Sequence, residues 1–258
     1  MSENSTNTSS SLNPKSFSSN NGLPRKRFYR ARAHSNPLSD SHFPVPIKPS
    51  HLSLSHHYPH FFPSSSPDQS DGQKRIEFAD IGCGFGGLLV TLSTMYPDTL
   101  MMGMEIRDKV TEYVKERIKA LRASLGSCHN VSVIRTNSMK YLPNYFDKGQ
   151  LSKMFFLFPD PHFKEKNHRR RVISDSLLDE YAYVMKVGGM VYAVTDVEEL
   201  GEWMSGCLER HCLFERVGDD EVEADPVTKV LESATEEGQK VIRNGGQTFR
   251  SVFRRVAA

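Results

Sequence analysis

Three stretches carry residue types that packing alone does not require. The first is Asp80-Ile-Gly82-Cys-Gly84-Phe-Gly86-Gly87, directly after an apolar run. Glycines where a strand turns sharply into a helix leave the backbone bare. A ligand can then approach main-chain atoms and the helix N-terminus closely. The spacing fits both GxGxG and the GxGxxG dinucleotide fingerprint, so alone it names no cofactor. The second is Glu105, 19 residues past Gly86, where a carboxylate can accept hydrogen bonds from two ribose hydroxyls. Together these point to an adenosine-containing cofactor and leave NAD and S-adenosylmethionine both open. The third is Phe158-Pro-Asp160-Pro-His162-Phe-Lys164-Glu-Lys166-Asn-His-Arg169-Arg170-Arg171. Here a carboxylate is held between two prolines that restrict its backbone, and five cations follow within eight residues.

The surrounding pattern supplies elements to position these groups. Arg75 to Ile81 reads as a strand, Gly87 to Tyr96 as a helix ended by Pro97, and Leu100 to Ile106 as a second strand, which is a βαβ unit. Asp108 to Leu125 has apolar residues at three-and-four spacing and Gly126 to close it, as an amphipathic helix does. Val131 to Arg135 and Leu151 to Phe158 are strands three and four, the latter with an apolar end expected of a parallel sheet buried on both faces. Ser174-Asp175 opens a helix with a stripe through Leu177, Leu178, Tyr181, Val184 and Met185 that Gly188-Gly189 should stop. Met190 to Thr195 is a fifth strand, and Trp203 falls on the following helix in a packing role. Late strands near Cys212 to Val217 and Gln247 to Arg254 complete an open α/β sheet. In such sheets, ligands bind beyond the strand C-termini, so Asp160 and the cations after it should face the site of the glycine loop. A cationic loop there suits a polyanion, which hydride transfer to a small metabolite does not need.

Composition narrows the classes. The 258 residues suit one domain with a tail, and 38% hydrophobic with 25% charged residues suits a soluble globular chain. No apolar run approaches the roughly 20 residues of a membrane-spanning helix. The four cysteines form no CxxC pair and no Cys/His cluster has zinc spacing, so no metal is expected and a reducing compartment is the simpler reading. Net charge is only +2, but residues 1 to 75 carry +5 and the remainder −3. Residues 1–73 read as a Ser/Pro/His-rich extension, partly disordered or draped over the domain at 74–258, and too poor in spaced apolar residues to build a core. Its histidines, His51, His56, His57 and His60, read as a solvated loop. Arg25, Lys26, Arg27, Arg30 and Arg32 surround Phe28 and Tyr29, a mixture of charge and stacking surface that suits nucleic acid. The Ser/Asn-rich start lacks the Arg-rich amphipathic face of an organellar transit peptide.

Taken together, Asp-Ile-Gly-Cys-Gly-Phe-Gly-Gly, Gly103-Met-Glu-Ile-Arg107, Asn137-Ser-Met-Lys-Tyr-Leu-Pro143, Phe-Phe-Leu-Phe-Pro-Asp-Pro-His-Phe-Lys, Thr235-Glu-Glu-Gly238 and Ala33-His-Ser-Asn-Pro37 resemble the tRNA (guanine-N7) methyltransferases, most closely their eukaryotic catalytic subunits. The motifs span about Lys26 to Arg255. The resemblance implies a Rossmann-like class I methyltransferase fold with a seven-stranded, mostly parallel sheet and helices on both faces. It implies S-adenosylmethionine as donor and a variable-loop guanine of tRNA, guanine 46, as acceptor. It places Gly82, Gly84, Glu105, Ile106, Arg107, Asn137, Ser138 and Leu157 at the cofactor and Asp160 at the catalytic position. Thr235, Glu236 and Glu237 fall on a loop at the substrate or cofactor side. Lys164, Lys166, Arg169, Arg170 and Arg171 join the tail cations as RNA contacts. A WD-repeat β-propeller subunit in a heterodimer and a nuclear location, with cytoplasm also compatible, are implied as well. From other classes, two readings stay open: an RNA-binding accessory protein with a vestigial glycine loop, and an NAD-dependent dehydrogenase.

Overall fold

The structure, a computed structural model, describes residues 22–32, 35–39, 43–63 and 74–258. Seven strands form one sheet: β1 (Ile76–Ile81), β2 (Leu100–Glu105), β3 (Val131–Arg135), β4 (Leu151–Leu157), β5 (Met185–Thr195), β6 (Phe214–Arg216) and β7 (Phe249–Arg255). Their order is β3-β2-β1-β4-β5-β7-β6. Strands β1 to β5 pair in parallel, and β7 runs antiparallel to both β5 and β6. Every residue of β2 is buried, and β1 and β4 nearly so, as central strands covered on both faces must be.

Eight α-helices flank the sheet among the described residues: α1 (Leu54–His57), α2 (Gly87–Met95), α3 (Asp108–Leu125), α4 (Ser138–Tyr145), α5 (Asp175–Val184), α6 (Glu198–Arg210), α7 (Asp219–Ala224) and α8 (Glu236–Arg243). The apolar stripes of α2 and α3 build one core with Phe78, Val133 and Phe155. Those of α4, α5 and α6 build a second with Ile81, Met154 and Phe156. Gly126 is left-handed at the end of α3, as its position at the end of the apolar stripe predicts. Trp203 on α6 is partly buried against the second core and donates from Nε1 to the Ile173 carbonyl at 2.9 Å, the packing role expected of it.

One local expectation needs correction, and one helix was not read at all. Gly188-Gly189 does not stop α5: the helix ends at Val184, and Met185 already pairs with Leu151 as the first residue of β5. The next paired position is Lys153 with Met190, so the intervening residues bulge, with Gly188 at φ +83° to turn the chain back. Helix α4 was not legible because Pro143 interrupts its short pattern. Asn137 starts it, its side-chain oxygen accepting from the Met139 N–H.

The described part of residues 43–63 also departs from the expectation of a tail that adds nothing to the core. Tyr58 is fully buried and donates its hydroxyl to the Met101 carbonyl at 2.9 Å. Val45, Leu52, Leu54, Phe61 and Phe62 pack against the same core. This segment lies beside β3, an edge strand that would otherwise offer its backbone to other chains. The histidines are not a uniformly solvated loop either. His57 bonds Ser132 of β3 at 2.7 Å, its carbonyl accepts from Arg122, and His60 stacks on His129. Among the described residues no helix is long and apolar enough to cross a membrane.

Burial, reinforced by His56, Lys115 and Arg122, lowers the His57 pKa to about 4 from an ordinary 6.5. A group depressed on folding contributes stability that is present above pH 6.5 and lost as the pH falls through about 4. Amides of residues 43–63 should therefore lose hydrogen-exchange protection between pH 6.5 and 4, after correction for intrinsic rates, and His57→Asn should flatten that loss. Constant protection across the window would contradict the burial of a neutral His57.

Candidate active site

The site is built on the C-terminal edge of four neighbouring strands. The order reverses between β1 and β4, the place where the loops of an open parallel sheet part and leave a crevice. Gly82 follows β1, Glu105 ends β2, Asn137 lies two residues beyond β3, and Leu157 ends β4. Sequence and topology thus agree on which edge bears the chemistry.

After β1 the chain turns through Gly82 (φ +73°), Gly84 (φ +53°) and Gly86 (φ +74°), conformations costly for a side-chain-bearing residue. Gly82 and Cys83 both donate to the Met104 carbonyl, which stitches the turn to β2. The third requirement is space: a Cβ on Gly87 would collide with the Ala234 carbonyl. This seats the segment entering α8 on the N-terminus of α2. The late loop at Thr235 to Glu237 is in fact the start of α8, with Thr235 Oγ1 accepting from the Gly238 N–H and Glu236 and Glu237 in the first turn.

Glu105 is 3% exposed, and each of its oxygens accepts two hydrogen bonds. Oε1 takes the Arg107 N–H and Nε, and Oε2 takes the Gly84 N–H and Arg107 Nη2, all between 2.8 and 3.1 Å. Burial alone would lower the Arg107 pKa, but the hydrogen bonds and charge of Glu105 leave it raised. The carboxylate therefore ties the glycine loop to the end of β2. A ribose diol placed there would share it with Arg107.

Asp80, which sequence reasoning passed over, sits behind the loop at 3% exposure. Burial, then the charge of Glu105, pushes its carboxyl up to about 7. Its signal was an acid next to the C-terminal end of a strand whose other acid, Glu77, lies near the opposite end. Burial also pushes the Cys83 thiol well up, with Asp80 and Glu105 adding to it, so Cys83 is no thiolate nucleophile. Ile106 and Ser138 are half-buried at the same edge. Asn137 is buried, capping α4 and donating from Nδ2 to the Pro37 carbonyl, so it also fixes the incoming tail.

Asp160 lies in the loop after β4 with its side chain 26% exposed. The turn around it is strained: Phe158 and His162, neither of them glycine, have φ of +50° and +46°. Such residues cost on the order of 1 to 3 kcal/mol each and persist where surroundings over-determine them. The Phe158 N–H donates to the Val194 carbonyl, and Asp160 Oδ1 accepts from the His162 N–H.

The expected cations divide. Lys164, Lys166 and Arg169 are exposed and Arg170 is half-buried. Arg171 is 1% exposed and bonded to Pro161 and Glu199, so it is not available to a phosphate. In the tail, Arg27, Arg30 and Arg32 are exposed and Arg25 is half-buried. Lys26 pairs with Glu236 at 2.5 Å and lies over the Phe85 ring, which brings the basic segment to the glycine loop.

A seven-stranded, mostly parallel sheet with this order and an antiparallel β7, a glycine turn after its first strand and an acid ending its second define a class I methyltransferase fold. The sequence pattern of the family described as "Putative methyltransferase" matches residues 74–251. The aminoglycoside resistance methyltransferase NpmB1 is similar in fold, with a TM-score of 0.50 and 16% identity over 72% of this chain and 89% of that one. Much nearer in sequence is the tRNA (guanine-N(7)-)-methyltransferase of Oryza sativa subsp. indica, 72% identical over 91% of this chain and 92% of its own. The Arabidopsis thaliana protein of that name is 69% identical over 93% and 95%, and that of Homo sapiens 53% over 90% and 88%. The chain belongs to the tRNA (guanine-N7-)-methyltransferase family.

Glu105→Gln keeps the shape and removes the charge that holds the loop and would hold a ribose. Loss of charge-assisted bonds, at about 1.5 to 3 kcal/mol each, should weaken S-adenosylhomocysteine binding by about tenfold or more in calorimetry. An unchanged affinity in the folded variant would remove Glu105 from the cofactor site.

Proposed function

We propose that the protein transfers the methyl group of S-adenosylmethionine to N7 of the variable-loop guanine, guanine 46, of tRNA. The observation that carries this reading is the shared edge: the bare glycine turn with Glu105 and the proline-flanked Asp160 open from adjacent strands, β1 and β4, with exposed cations directly beyond.

The residues fit the donor. Gly82 and Gly84 leave open backbone before the helix N-terminus, with no heavy atom closer than 4.0 Å to a Cβ built on either. Glu105 ends the neighbouring strand beside them, its Oε2 accepting from the Gly84 N–H, and Ile106 and Leu157 offer apolar walls. Bound there, S-adenosylmethionine supplies an electrophilic sulfonium methyl. Guanine N7 carries an in-plane lone pair and no proton, so the chain needs no general base before attack. Its task is to align base and donor and to exclude water, and positioning dominates the rate gain. Asp160 can accept from guanine N1–H and the exocyclic amine, orienting the base, or stabilise the positive charge that grows on the purine. Adenine and cytosine offer no matching pair of donors.

The polyanion is held outside the crevice by Lys164, Lys166, Arg169 and Arg170 and, from the tail, by Arg25, Lys26, Arg27, Arg30 and Arg32. A WD-repeat propeller subunit and a nuclear location belong to the same reading, on the resemblance of the motifs to eukaryotic catalytic subunits. Activity gained on adding such a subunit would test the partner. Imaging of the tagged chain would test the location.

Asp160→Asn keeps the shape of the side chain and removes its charge. On saturating tRNA its turnover, read as 7-methylguanosine by mass spectrometry of tRNA nucleosides, should fall on the order of 100-fold with cofactor affinity nearly unchanged. Near-normal turnover would confine Asp160 to a structural turn. Neutralising the exposed cations should flatten the dependence of log affinity on log salt by about 0.7 to 0.9 per lost phosphate contact. An unaltered slope would make them solvated surface.

A further inference from the structure

Arg171 closes the cationic run, yet its guanidinium is 1% exposed. Burying a charge is costly unless its partners are well placed, and the partners of Arg171 come from two separate elements, the turn after β4 and the helix after β5. Nε donates to the Pro161 carbonyl at 2.9 Å, in the turn after β4. Nη2 donates to Glu199 Oε1 at 2.7 Å, in the first turn of α6 after β5. The guanidinium carbon lies 4.8 Å from the centre of the Trp203 ring, and Trp203 is itself fixed by its bond to the Ile173 carbonyl.

We propose that Arg171 is a positioning residue for methyl transfer, holding the peptide that orients the Asp160 carboxylate. The Pro161 carbonyl and the His162 N–H belong to one planar peptide unit. Arg171 binds the oxygen of that unit, and Asp160 Oδ1 accepts from its N–H at 3.3 Å. A shift at the carbonyl is therefore transmitted to the group that holds the carboxylate. Local backbone preference does not keep this plane in place, because Phe158 and His162 are both left-handed and Pro159 and Pro161 have no N–H to anchor the turn. Arg171 anchors the plane through its carbonyl. Glu199 extends it to α6, so the loops after β4 and β5 are braced against each other.

This inference rests on the reading of Asp160 as the group that handles the base. Arg171→Met retains bulk and removes both donors. On saturating tRNA and S-adenosylmethionine its turnover should fall about 10- to 100-fold, the scale of a displacement of about 1 Å at a reacting group. The KM for tRNA, the S-adenosylhomocysteine affinity and the salt slope should stay within twofold of the parent, with the thermal midpoint well above the assay temperature. A purely structural arginine would lower the midpoint and leave turnover below it intact, and a phosphate contact would change the salt slope. The Arg171→Met/Asp160→Asn double variant should be no slower than Asp160→Asn alone, because both changes remove the same oriented carboxylate. If Arg171→Met does not fold, Glu199→Ala releases one arm from a surface position and should still lower turnover several-fold. Normal turnover in Arg171→Met, or in Glu199→Ala where that variant stands in for it, overturns the inference, as do additive losses in the double variant. Asp160→Asn separates the causes. If it is slow while the Arg171 variant is normal, only the inference fails, whereas full activity in Asp160→Asn defeats the reading beneath it.

Discussion

The structure depends on the reversal of strand order between β1 and β4. Because β2 and β3 are added on one side of β1 and β4 and β5 on the other, the loops after β1 and β4 part at the sheet centre. Helices then cover opposite faces, with α2 and α3 on one core and α4 to α6 on the other. No side chain creates this gap. Side chains decide what the gap can hold, and the glycine turn keeps it open by leaving them out.

Around the gap, burial turns ordinary charged residues into fixed parts. Glu105, at 3% exposure, has both oxygens satisfied by the four donors that surround it, and those donors are also what bind the glycine loop to β2. Asp80 lacks such compensation and its carboxyl rises to about 7. Arg171 does for the Pro159–Pro161 turn what Glu105 does for the glycine turn. Each of these loops is thus held by a buried ionic group, Glu105 from the neighbouring strand and Arg171 from later in the same connection, while Lys164, Lys166 and Arg169 stay exposed.

Much of this was legible in the sequence, because parallel strands and amphipathic helices announce themselves through periodicity and glycines. The helix Asp108–Leu125 and strand Val131–Arg135 are found at the expected bounds. Short elements were not legible: α4 hides behind Pro143, and β5 begins inside an apolar stripe that reads as helix until Met185 finds Leu151. In the extension, Tyr58 looks like any aromatic in a His/Ser-rich stretch, and only the Met101 carbonyl and the core beside it give it a place. Arg171 shows the same limit for the site. A run of like charges cannot say which member faces inward, since that depends on Pro161, Glu199 and Trp203 meeting in space.

On the proposed reading, the glycine turn and Glu105 hold an S-adenosyl group rather than a dinucleotide. Calorimetric titration of the purified chain with S-adenosylhomocysteine and, separately, with NADH tests it most directly. Saturable binding of S-adenosylhomocysteine at one site per chain, with no heat of binding from NADH, is the predicted result. Binding of NADH, or a folded chain that binds neither, would contradict the account.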